Sequence, residues 1–207
     1  MSKTFRICAT AMLCALSVVA NMFTIPLTPN FSRVISFTIV VTFVAAAYLG
    51  TISAMTVGFL GDLIAHFINP MGGMGYNYFI GLSCLLTGLI AGLCFKLLPD
   101  KRLLALVVGV VTCFVVCTTF INNFGLWLQV VVGVRPSPSG FVQFLTMDQS
   151  QIRKSFWVFA GARTPVALLN YAINGVLLAT LLGTKALDKA LAKLLPQESA
   201  NRQESEK

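Results

Sequence analysis

Residues 52–68 read ISAMTVGFLGDLIAHFI, an apolar run interrupted by Asp62 and, four positions on, by His66. About 20 mostly apolar residues are needed to cross the roughly 30 Å hydrocarbon layer of a bilayer. The run therefore reads as a membrane span that carries an ionisable group inside it. Such a group is costly in lipid and marks function by default. Working outward, similar apolar runs lie on both sides, and almost the whole chain divides into them.

Composition agrees. Of 207 residues, 57% are hydrophobic and 11% charged, against about 25% charged in a soluble domain; mean hydropathy is +0.83. The expected spans are 5–23, 34–49, 52–68, 78–98, 103–132 and 156–182. Gly50 is read as a tight turn, the Gly- and Pro-rich residues 70–75 as a loop, and the polar stretch 133–155 as a segment able to fold over a site. Lys3 and Arg6 before an apolar run resemble a secretory signal, but the spans that follow favour a retained first helix. The expectation is an all-α membrane protein: one six-helix transmembrane domain over residues 1–195, then a charged, frayed tail over 196–207.

The net charge of +8 invites a nucleic-acid reading, which the placement of the charges excludes. Lys3, Arg6, Lys96, Lys101, Arg102, Lys185, Lys189 and Lys193 fall at one set of helix ends, as cytoplasmic Lys and Arg do. Both termini are then expected in the cytoplasm, and the chain reads as a multi-pass protein of a cell membrane. The six cysteines lie inside apolar runs without C-x-x-C spacing and read as packing groups rather than metal or disulfide chemistry. No P-loop, H-E-x-x-H or G-x-S-x-G occurs. An enzyme has little to rest on, the chain is expected to bind no cofactor, and energy for uphill transport must come from an ion gradient or a separate ATPase.

Polar residues gather at the other set of helix ends. Asp62 lies about ten residues along its span, roughly 15 Å, and Arg163 about seven residues into the last, roughly 10 Å, at comparable depth from opposite directions. His66 is one turn beyond Asp62 on the same face. Asn21, Tyr76, Asn122, Asn123, Trp127 and Gln129 belong to the same outer end, while the inner halves are more apolar, with Asn170 and Asn174 as exceptions. Polar groups above an apolar floor make a receptor for an outside solute. Alternatives stay open: Asp62 and Arg163 either pair with each other or meet a ligand, with Arg163 suited to a carboxylate. His66 is either a packing residue or a proton relay with Asp62, and Tyr76 and Trp127 are either interfacial belt residues or stacking faces. Arg33 in the first outer loop would draw in an anion. Ala11-x-x-x-Ala15 lets a helix approach closely, within the bundle or from a partner.

From Arg33-Val34-Ile35-Ser36-Phe37, through Gly61-Asp62 to Asn69-Pro70 and the Gly81–Gly92 helix, to Asn122-Asn123 and Ala162-Arg163, the chain resembles the S components of energy-coupling factor (ECF) vitamin transporters. It looks most like the folate branch. The proline common after Ser-Phe in that branch is missing here, and Asn122-Asn123 stands in place of an Asn-Thr pair. The resemblance implies a six-helix substrate-binding subunit that docks on a membrane coupling subunit and two ATP-binding cassette ATPases, with Ala11 and Ala15 as the docking motif. It implies capture of a vitamin, folate foremost, among Arg33, Asp62, His66, Tyr76, Asn122, Asn123, Trp127 and Arg163, beneath the loops that follow the first and third helices. Another vitamin or precursor, or a stand-alone proton-coupled carrier using Asp62 and His66, is the alternative.

Overall fold

Backbone amides in lipid must find partners within their own segment, so long apolar runs become helices. The computed structural model describes residues 3–23, 25–26, 34–69, 75–130 and 148–184. Its helices are α1 (Lys3–Met22), α2 (Thr38–Leu49), α3 (Thr51–Ile68), α4 (Tyr78–Leu97), α5 (Arg102–Cys113), α6 (Asn123–Val130) and α7 (Gln149–Gly183). A π-helical stretch, Phe114–Asn122, joins α5 to α6 without a break. Between α1 and α2, strand β1 (Ile25–Pro26) pairs antiparallel with β2 (Val34–Ile35).

Among the described residues, five helical segments are long and apolar enough to cross a membrane: 3–22, 51–68, 78–97, 102–129 and 155–183. The second expected span is shorter than its apolar run. Val34 and Ile35 are a strand, and Ser36 Oγ accepts from Thr38 N at 3.3 Å, a side-chain bond of the kind that starts a helix. The 12 residues of α2 then measure about 18 Å. The last span is longer than expected, because residues 149–155, read as loop, are the first turns of α7.

The core lies between α2, α3, α4, α5 and α7, where Phe43, Ala54, Val57, Ala91 and Leu178 are fully buried. Gly50, with φ +89°, turns α2 directly into α3, a conformation that costs glycine little. Along α3 and α4 the backbones touch: a Cβ on Gly88 would strike the Ala54 carbonyl, and one on Gly92 would strike Thr51. Small residues permit such an approach between membrane helices. α1 is set apart. Only Ser17 and Val18 are buried on it, and Ala11 and Ala15 are exposed beside Ile7, Met12 and Leu16. The alanine spacing does not serve packing within the chain.

Candidate functional site

The ends of α1, α3 and α6 and the start of α4 meet at one end of the bundle, around a cavity of about 270 Å³. Asp62 and His66 reach it from the last turns of α3, Tyr76 from just before α4, Asn122 from the end of the π stretch, and Arg163 from α7. Asp62 is fixed from two sides: Asn21 Nδ2 donates to Oδ1 at 3.3 Å and the Tyr76 hydroxyl to Oδ2 at 2.9 Å. Burial and the neighbouring Asp62 charge push the Tyr76 phenol well above its ordinary range, so it stays a donor. Gly81 makes room for that phenol, since a Cβ there would overlap the Tyr76 hydroxyl. The His66 ring packs edge-on against Tyr76, with centroids 5.3 Å apart.

Arg163 is held differently. Its Nη1 donates to Asn123 Oδ1 at 2.7 Å, and its guanidinium lies over the Phe159 ring at 5.5 Å. Asn123 is itself 1% exposed and stands behind the arginine rather than in the cavity wall. Asp62 and Arg163 thus line the same cavity on separate supports, and no ion pair joins them. The structural-pair reading of these two residues is not realised: Asp62 accepts from Asn21 and Tyr76, while the Arg163 guanidinium is turned to Asn123 and Phe159. No hydrogen bond joins Asp62 to His66 either.

Asn122 lies on the cavity wall, and its Oδ1 is buried without a hydrogen bond among the described residues. A buried polar atom left unpartnered costs about 1–3 kcal/mol, a cost that a ligand N–H would relieve. Deeper, Thr42, Ser83, Thr87, Thr118 and Tyr171 also face the cavity. Hydroxyls thus stand among the apolar groups of the floor, such as Ile39, Val166 and Ala167. Asn170 and Asn174 grip the start of α2: Asn170 Oδ1 accepts from Ser36 N at 3.1 Å and Asn174 Nδ2 donates to Ser36 O at 2.9 Å.

With this geometry in view, the comparisons are informative. Residues 5–182 match the family model described as ECF transporter, substrate-specific component. The chain belongs to this family. The fold of this ECF component is similar to a solved structure titled "Structure and mechanism of the S component of a bacterial ECF transporter". The match has a TM-score of 0.60 at 13% identity and covers 94% of this chain and 99% of that one. No curated protein matches the chain in sequence. The family is a transport component rather than an enzyme, and its helices make it a membrane protein.

Within this ECF component, Asp62, His66, Tyr76, Asn122 and Arg163 come together as the sequence predicts. Trp127 does not join them. It is 1% exposed, its Nε1 donates to Ser155 Oγ at 3.3 Å, and its ring packs on Phe124 and Phe156 at 6.0 and 5.7 Å. It seams α6 to α7 and is not among the described residues that line the cavity. Arg33, the residues 70–74 of the third loop, residues 133–147, the three C-terminal lysines and the tail from 196 lie outside the described residues. Sequence reasoning did not assign Ser36, Thr42, Ser83, Thr87 or Thr118 to the site. Serine and threonine are common in spans, and nothing in their spacing separates cavity-facing hydroxyls from those serving their own helix.

Proposed function

We propose that this ECF component captures folate, or a related pterin-containing anion, from outside the cell. Six helices, α2 included, cross the bilayer with both termini in the cytoplasm and the cavity open to the exterior, as the lysines and arginines at the opposite end favour. Arg163 meets a carboxylate of the solute, while Asp62 accepts from the donor edge of the ring and Asn122 from its flank. Delivery inward uses ATP hydrolysed by two cassette ATPases through a membrane coupling subunit, which docks on the exposed Ala11–Ala15 face of α1. The observation that carries this reading is that Asp62 and Arg163, reaching in from different helices on separate supports, line one cavity. Ionisable groups inside a membrane bundle mark function by default, and this pair suits a solute that bears donors at one edge and an anion at the other.

Binding by the purified protein, measured against folate, thiamine, riboflavin, biotin and pantothenate, tests the substrate. Tight binding of folate is the expected result; tight binding of another vitamin without folate would reject the folate assignment and keep the class. Co-purification tests the assembly: the wild-type chain should bring down a coupling subunit and ATPases, and Ala11→Trp should not. Uptake into vesicles by this chain alone, abolished by a protonophore, would point instead to a proton-coupled carrier.

A further inference from the structure

Three hydroxyl protons on the α2 and α4 side of the cavity are already committed, which limits what that side can recognise. Thr42 Oγ1 donates to Thr38 O at 3.0 Å, Ser83 Oγ to Cys117 O at 3.1 Å and Thr87 Oγ1 to Ser83 O at 2.8 Å. A hydroxyl has one proton and two lone pairs. With the proton held by a backbone carbonyl, Thr42, Ser83 and Thr87 offer the cavity lone pairs alone. Asp62, receiving protons from Asn21 and Tyr76, is likewise an acceptor. These four residues come from α2, α3 and α4, which form one continuous wall.

The α7 side is the opposite. Arg163 has only N–H donors. Asn170 Oδ1 is taken by Ser36 N and Asn174 Nδ2, which leaves the Asn170 amide protons. The Tyr171 hydroxyl accepts from Thr118 at 2.9 Å and keeps its own proton. Among these groups, those on α2, α3 and α4 accept and those on α7 donate.

We propose that the cavity is a polarity filter: it takes a flat heterocycle whose amino and ring N–H edge faces Thr42, Asp62, Ser83 and Thr87, with carbonyl or carboxylate acceptors turned to α7, and it refuses the same ring when the amino group is replaced by an oxo group. This rests on the substrate-capture reading and narrows it to a chemical class. An oxo group on the amino position would set lone pair against lone pair and leave both without a hydrogen bond. Sites that hydrogen-bond a substrate group discriminate strongly against analogues that cannot reciprocate.

The test is calorimetric titration of the purified protein with amino/oxo pairs: pterin-6-carboxylate against its pteridine-2,4-dione counterpart, and a 4-aminopyrimidine against the matching pyrimidin-4-one. The amino member should bind at least about 100-fold more tightly, in keeping with such discrimination. Thr87→Val and Ser83→Ala, made separately so that one misfolded variant does not stop the test, should each cut that ratio by about tenfold, the loss of one hydrogen bond. Equal binding of pterin and dione would overturn the filter and leave the folate reading standing. Preference for the aminopyrimidine with no pterin binding would uphold the filter and remove folate. Binding of no aminated ring at all would overturn both.

Discussion

The two ends of the bundle differ in how many of their polar side chains bond across elements. At the basic end, hydroxyls mostly bond their own helix one turn back, as Thr56 does to Ile52 O at 2.9 Å and Thr180 to Val176 O at 2.9 Å; Thr10 to Ser53 at 3.0 Å is an exception. The cations there are exposed, and α3 and α4 close on each other through Gly88 and Gly92. At the cavity end Thr42 and Thr87 also bond their own helices, but further bonds cross between elements: Asn21 to Asp62, Tyr76 to Asp62, Arg163 to Asn123, Ser36 to Asn170. Cross-element bonds hold helices at fixed separations with a void between them, whereas local bonds let helices close up. A membrane bundle can thus be packed at one end and hollow at the other with much the same residue types.

Four substitutions would break or sharpen that contrast. Arg163→Ala should have the largest effect: loss of a charge-assisted contact of about 1.5–3 kcal/mol to an anionic ligand lowers affinity by roughly 10- to 100-fold, read by titration of the purified protein. At the packed end, Gly88→Ala should leave ligand affinity near wild type and destabilise the fold by about 1–3 kcal/mol, the usual cost of overpacking, seen as a lower melting temperature in detergent. Gly81→Ala, its counterpart at the hollow end, should do the reverse: the displaced Tyr76 phenol costs about 1 kcal/mol of support for Asp62, or roughly fivefold in affinity, with a smaller change in melting temperature. Trp127→Phe should be mildest, losing the Ser155 bond at about 0.5–1.5 kcal/mol of stability with ligand affinity unchanged. A fall in affinity for Trp127→Phe as large as that for Arg163→Ala would erase the distinction between seam and site.

Much of this was legible in the sequence. Apolar run length gave the helices because lipid leaves the backbone no other partner, and charge inside a run singled out Asp62 and Arg163. What was not legible depends on rotation and local hydrogen bonding. The π-helical stretch Phe114–Asn122 carries no compositional mark, yet it sets which of two adjacent asparagines faces the cavity and which stands behind Arg163; such stretches often lie at functional sites. Trp127 was misplaced for a related reason, since an aromatic near a helix end suits a belt, a seam or a pocket equally well. Val34 and Ile35 were counted as helix because strand and helix share an apolar signal over short runs.

A structure of the protein loaded with folate in a lipid disc would test the central claim most directly. The account predicts ligand density in the cavity, its ring amino group within hydrogen-bond reach of Asp62 and a carboxylate at Arg163. Density for the ligand elsewhere, with Asp62 and Arg163 closed onto each other across a collapsed cavity, would contradict it.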